Sequence, residues 1–373
     1  MKKVIGIYCG EMTYLPGQKW DSDIVRNNPC GGSETWAVEL SSQFNKLGFH
    51  TIVFCNCEIW HFDNEGVEYV PYWLFESRCD YQYFDYFIVS RDINGIIDKL
   101  ECPNVYLMCH ERGIFDRYWG NFAEYDQLKM GRVKKIAVLS EWNKEETKKF
   151  YPQIPEEKYM ITFNGVKTDL YEDVANVEKQ NIMLWSSCLN RGMTFFGKYV
   201  APKIKEQVPD FELYICSYNT DICGILPEGD WTHFLGPLKK DKMSQLQKQS
   251  KIWILPNYGF DDFGNELQES CPLTAIENML AENAIICLNK GGTATVLSGY
   301  TGMLDASEID AHIRPTEEEL DALGTKMADY AVKCLKDENF RRGLVEELKG
   351  IRKKYTWKNS AMTWLKEWGL LYE

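Results

Sequence analysis

Continuous apolar runs alternate with stretches of helical apolar spacing along the whole chain, and this alternation restricts the fold more than any other feature. The segments 3–9 (KVIGIYC), 50–55 (HTIVFC), 85–90 (DYFIVS), 104–109 (NVYLMC) and 135–139 (KIAVL) read as strands. A second set begins near 181, with NIMLWSS, FELYICS, KIWILP and AIICLN. Strands that are apolar throughout and joined by helices belong to parallel sheets covered on both faces. At 373 residues, two such domains are favoured over one. A seam is expected near 164–180, where YMITFNGV ends and the polar stretch KTDLYEDVANVEKQN begins. The tail places Trp357, Met362, Trp364, Leu365, Trp368 and Leu371 at helical spacing, so that helix needs a surface to cover its apolar face.

The formal net charge of −13 argues against general nucleic-acid binding and against adsorption to an anionic membrane. No apolar stretch reaches the roughly 18–20 residues of a membrane span. The opening MKKVIGIYCGEM is too short and too polar for a signal-peptide core and reads as a first strand. The chain carries 13 cysteines, many within apolar runs such as VYLMCH and AIICL, which suits buried thiols in a reducing compartment. Cys55 and Cys57 form only CxC, without a second pair at zinc-ligand spacing. A cytoplasmic protein is expected, with room for a peripheral membrane association.

Two constellations carry chemistry. In the first, CGGSETWAVELSSQFNKLG comes after strand 3–9 and a long polar and aromatic loop (11–30). Trp36, Ala37, Leu40, Phe44 and Leu47 recur at helical spacing, predicting a helix over 33–47 with Ser33 as its N-cap. Gly31 and Gly32 then sit where the chain enters the helix. Glycines there admit a ligand and a helix start favours an anion, but a tight turn that needs glycines explains them equally well. The pattern is neither GxGxxG nor a Walker motif, which disfavours a nicotinamide-dependent dehydrogenase.

The second constellation is IWILPNYGFDDFGNELQESCPLTAIENMLAENAIICL (252–288). IWILP and AIICL read as buried strands, and Leu273, Ile276 and Leu280 mark a helix between them that Pro272 opens. Glu269 falls in the loop before the helix and Glu277 within it, with seven residues between them. A helix start offers free N–H groups to a diphosphate, and ionised carboxylates accept hydrogen bonds from the diols of a sugar and a ribose. Two solvated surface glutamates are the plain alternative, and spacing by itself favours it. The strand–loop–helix setting weighs the other way.

ESCPLTAIE (269–277) resembles the E-x7-E motif of glycosyltransferase family 4 and its relatives. The resemblance extends in order along nearly the whole chain: GGSE (31–34), LMCHE (107–111), AVLSEWNK (137–144), FNGV (163–166) and KGGTATVL (290–297) each match a segment of that family. It implies an α/β GT-B fold: two Rossmann-like domains with parallel sheets facing across a cleft, and a C-terminal helix crossing back to the first domain. It implies an acceptor-side domain over 1–166, with 357–373 returning to it, and a nucleotide-sugar-binding domain over 167–356.

The implied activity is transfer of a sugar from a nucleotide diphosphate sugar to a glycan, lipid-linked glycan or other hydroxyl acceptor, with retention of configuration. No metal and no cofactor beyond the donor co-substrate is expected. Glu269 would contact the donor sugar, the backbone from Cys271 through Pro272 and Leu273 to Thr274 would meet the diphosphate, and Glu277 would hold the ribose. His110 would lie near the reacting sugar, although a satisfied polar residue at a strand end is its plain reading. Gly32 would approach the donor phosphate or the acceptor. Gly31, Glu34 and Glu111 are acceptor-side candidates, with Glu111 expected to point away from His110 if its strand continues.

One departure stands out. The family's Arg and Lys after the first strand of the second domain correspond here to LWSSCLNRG, in which Ser186 takes the Arg position. Arg191 remains as the main cation, with Lys290 or a backbone contact as its helper. The same departure favours the rival reading, a catalytically impaired GT-B-like sugar-nucleotide-binding or scaffold protein. An epimerase or an inverting transferase of similar fold is a further rival. Asp21-Ser22-Asp23 has the form of a metal-binding DxD but sits in a polar stretch, and is read as a solvated loop or at most an acceptor contact. His50, His61, His233 and His312 show no metal-ligand spacing. The aromatic loops 11–30 and 113–126 are the places where an acceptor could bind.

Overall fold

A computed structural model describes residues 2–11, 18–115, 123–217, 226–261, 266–309 and 313–371. The chain divides into two units, Met1–Gly165 with Trp357–Glu373, and Val166–Thr356.

The first unit is built on β1 (Val4–Tyr8), β2 (His50–Cys55), β3 (His61–Phe62), β4 (Glu68–Pro71), β5 (Tyr86–Ser90), β6 (Val105–Cys109), β7 (Val133–Val138) and β8 (Tyr159–Ile161). Their order in the sheet is β3-β4-β2-β1-β5-β6-β7-β8. All pairs are parallel except β3 with β4. The five apolar runs account for β1, β2, β5, β6 and β7, and β8 opens the segment YMITFNGV. Strands β3 and β4 are short and lie at the sheet edge, where a run of two to four residues has no readable period.

The predicted helix spans Gly32–Lys46, and its N-cap is Gly31 rather than Ser33. Ser33 lies inside the first turn, where its hydroxyl serves other partners. The tail helix Trp357–Glu367 finds its surface here. Trp364 packs 6.5 Å from Trp36 across ring centroids, while Trp368 lies 5.1 Å from Phe44 and stacks on Tyr86 at 4.2 Å. Trp36 and Trp364 are fully buried, so burial of large aromatic area holds the tail to this unit.

The second unit carries β9 (Gln180–Trp185), β10 (Glu212–Ile215), β11 (Thr232–Phe234), β12 (Ser250–Leu255), β13 (Ala284–Leu288) and β14 (Met303–Leu304). The order is β11-β10-β9-β12-β13-β14, parallel throughout. The amino ends of three adjacent strands are stitched by one lysine. Lys179 Nζ donates to Ser250 O (2.9 Å), Ala281 O (2.5 Å) and Asn283 Oδ1 (2.6 Å). Replacing Lys179 with methionine strands these acceptors, and chemical denaturation should show a loss of about 2 kcal/mol. An unchanged denaturation midpoint would mean that water replaces the amine at no cost.

Every described cysteine is free, and none is exposed. Among the described residues no helix is long and apolar enough to cross a membrane.

Candidate functional site

In the second sheet the chain runs outward from β9 through β10 to β11, then returns to β12 on the other side of β9. The loops leaving the carboxyl ends of β9 and β12 therefore diverge, and such a switch point opens a crevice where ligands bind in open parallel sheets. The loop after β9 carries Arg191, and the loop after β12 carries Glu269. The two side chains form an ion pair, and both are partly exposed. The sequence leaves Arg191 a nearly solitary cation; the structure gives it a carboxylate partner. Gly192 comes next at φ +100°, with Pro256 O 3.0 Å from where a Cβ would stand, so a side chain there would meet both strain and the end of β12.

Beside this pair lies a small hollow lined by Leu255, Asn257, Gln268, Glu269, Leu288, Lys290 and Thr293. The glycine pair after β13 shapes its wall. Gly292 N–H donates to Glu269 O at 2.6 Å. A Cβ on Gly292 would sit 1.9 Å from Ser270 O, so only glycine lets the two backbones approach this closely. The backbone of the Glu269 loop thus rests on the KGG segment. Lys290 Nζ donates to Ile309 O while lining the hollow.

The helix Leu273–Leu280 starts at the end of this loop, with Pro272 in the cap position and no side chain capping it. Its first amides, at Leu273 and Thr274, have no intrahelical acceptor. Cys271 is buried just ahead of them. Glu277 lies one turn along the helix, away from the residues that line the hollow. It accepts from Gln247 Nε2 at 3.3 Å, and burial pushes its carboxyl above the usual range. Ser186 plays no part in the hollow: its Oγ accepts from Trp253 Nε1 at 2.9 Å in the core of the sheet. Its place is explained by a fully buried tryptophan that needs an acceptor.

The first sheet repeats the topology, reversing between β1 and β5. His110 is buried at the carboxyl end of β6. Its Nε2 lies 3.1 Å from Ser90 Oγ and its ring stands edge-on to Trp36 at 5.1 Å. Burial, with Arg91 nearby, pulls its pKa well below the usual range, so the imidazole is neutral at physiological pH.

Arg91 is the residue that sequence reasoning missed. It stands directly after β5 with φ 63°, an uncommon conformation for a side chain with a Cβ. Its guanidinium pairs with Glu111 and donates to Ser33 Oγ at 2.8 Å, while Ser33 Oγ donates to buried Glu34 at 2.8 Å. Two of the acceptor-side candidates, Glu34 and Glu111, are thereby gathered on one cation at the start of the glycine-led helix. The expectation that Glu111 points away from His110 depends on the strand continuing, and β6 stops at Cys109. A cation directly after the apolar run FIVS was the signal available for Arg91.

Gly31 and Gly32 occupy the cap and first position of that helix. Asp21 is not in a solvated loop. It caps the helix Ser22–Asn27, its carboxylate accepting from Asp23 N and Ile24 N at 3.0 Å each. Parts of the aromatic loops, 12–17 and 116–122, lie outside the described residues.

Neither a family model nor a curated protein matches the sequence. Solved structures match it over its whole length. Sucrose-phosphate synthase from Thermosynechococcus elongatus aligns with a TM-score of 0.69 at 13% identity, covering 99% of this chain and 98% of that one. A glycosyltransferase from Rickettsia africae aligns at 0.65 with 14% identity, covering 98% of each. HepE of Anabaena, solved in complex with UDP and glucose, aligns at 0.64 with 10% identity, covering 100% of both chains. The chain has the GT-B fold of these glycosyltransferases, with two Rossmann-like units.

Proposed function

We propose that this chain is a glycosyltransferase that moves a sugar from a nucleoside diphosphate sugar to a hydroxyl of a glycan or lipid-linked glycan, with retention of configuration. The observation that carries this reading is the meeting of Arg191 and Glu269 at the switch point of the second sheet, beside an uncapped helix start. On donor binding the pair separates. Arg191 turns to the diphosphate oxygens, which its planar fork can take in bidentate fashion, and Glu269 accepts from the sugar hydroxyls. Charge developing on the departing diphosphate is met by Arg191, by Lys290 and by the amides of Leu273 and Thr274. Glu277 accepts from the ribose. In the first unit, neutral His110 is assigned a hydrogen bond to the reacting sugar, and Glu34 and Glu111 belong to the acceptor side. The bound UDP and glucose of HepE support a nucleotide sugar as donor.

A thermal-shift panel of UDP-, GDP- and TDP-sugars tests the donor. A ligand at 100 times its Kd stabilises by about 2.7 kcal/mol, which should raise Tm by several degrees. Product analysis with the binding donor and simple glycoside acceptors then tests transfer and anomeric outcome. Binding without turnover on any acceptor would favour the non-catalytic reading, and a flat panel would refute both.

A further inference from the structure

Gln247 is a fully buried polar side chain on the helix Lys240–Gln249, and a buried amide has to satisfy both of its ends. Its Nε2 donates to Glu277 Oε2 at 3.3 Å, and its Oε1 accepts from Tyr171 OH at 2.5 Å. The polarity of this chain of hydrogen bonds is set by chemistry. An ionised carboxylate only accepts, so the amide nitrogen faces Glu277, and the phenol must then donate to the amide oxygen. Tyr171 is buried too, on the turn Asp169–Tyr171, so three separate elements converge on one carboxylate. Gln247 is the one hydrogen-bond partner of the Glu277 carboxylate among the described residues, and it engages a single oxygen.

We propose that Gln247 and Tyr171 are positioning residues for Glu277, holding one carboxylate oxygen so that the other is presented to the ribose diol of the donor. This rests on the proposed function, in which Glu277 holds the ribose. A glutamate side chain loses rotamer freedom when it is fixed, and a carboxylate removed from water loses hydration. An N–H already in place offsets the second cost. Because a phenol locks the orientation of that N–H, the first cost is met before the ligand arrives. The same pair explains why a glutamine is fully buried next to Leu246 on this helix.

The test is the discrimination between ribose and deoxyribose. Calorimetric Kd values for UDP, 2′-deoxy-UDP and 3′-deoxy-UDP, with the guanosine series in parallel, give a deoxy-to-ribo ratio for each variant. A charge-assisted hydrogen bond lost with one hydroxyl predicts a wild-type ratio of about tenfold or more for at least one deoxy ligand. Glu277→Gln should bring it to about threefold or less. Gln247→Leu should reduce it at least threefold, and Tyr171→Phe at least about twofold, with the deoxy Kd itself nearly unchanged. A residue that served folding alone would weaken ribo and deoxy ligands equally. Tyr171→Phe removes only one hydroxyl, so it decides the matter if Gln247→Leu does not fold. Discrimination lost in Glu277→Gln but kept at the wild-type ratio in Gln247→Leu and Tyr171→Phe overturns the positioning role and leaves the donor site standing. Failure of every nucleoside diphosphate to bind the wild type overturns the donor site itself, and the positioning role with it.

Discussion

Replacing Gly292 with alanine is expected to destabilise the second unit by about 3 kcal/mol and to lower sugar transfer by about a hundredfold. The added methyl would stand 1.9 Å from Ser270 O and 2.6 Å from Glu269 O, both backbone atoms. A flexible side chain could move aside, but here the loop or the helix Gly291–Val296 has to shift. Overpacking of this kind typically costs about 1–3 kcal/mol, and a backbone obstacle puts it at the upper end. The shift also breaks the 2.6 Å hydrogen bond from Gly292 N to Glu269 O, which seats the loop that carries Glu269. A displacement of about 1 Å in a positioning loop is enough to cost catalysis some hundredfold. Thermal unfolding and donor turnover read the two effects. A G292A protein with the wild-type Tm and wild-type kcat/KM would show that the loop does not depend on this contact.

Glu269→Gln is expected to lower kcat/KM about 10²–10³-fold while leaving stability almost unchanged. Both members of the Arg191–Glu269 pair are partly exposed, so losing the pair costs folding less than about 1 kcal/mol. The loss falls on the sugar. Two charge-assisted hydrogen bonds to its hydroxyls, at about 1.5–2 kcal/mol each, amount to that range in rate. The amide also ceases to compete for Arg191. Binding of the nucleoside diphosphate without its sugar should therefore hold or tighten in the same variant that transfers poorly. Parallel weakening of nucleoside diphosphate binding and of turnover would mean that Glu269 supports the diphosphate site rather than the sugar.

Much of the architecture is legible in one dimension. Segments such as IWILP and AIICL are apolar at every position because their strands are covered on both faces, and that pattern needs no coordinates to be seen. The helices behind GG and behind CP are legible for the same reason, since their apolar stripes face a sheet. The edge strands β3 and β14 are not, because a two-residue strand is defined by its partner rather than by its own pattern. Asp21 reads as solvated in the sequence because a capping aspartate has no composition of its own. Only the amides of Asp23 and Ile24 on its carboxylate distinguish it.

The site divides in the same way. Local order along the chain determined that Glu269 precedes a helix, that Glu277 lies within it and that a glycine pair stands after the next strand. Tertiary structure alone decided that Arg191 faces Glu269, that Gly292 lies under the Glu269 loop and that Ser186 belongs to Trp253. It also decided that Arg91 gathers Glu111 and Ser33, and that Gln247 stands between Tyr171 and Glu277. The physical reason is range. Periodicity and capping act over a few residues and are written in neighbouring side chains. The ion pairs and buried hydrogen bonds of the site join residues 20, 58 or 76 positions apart, and those distances close only when the strands take their places in a sheet.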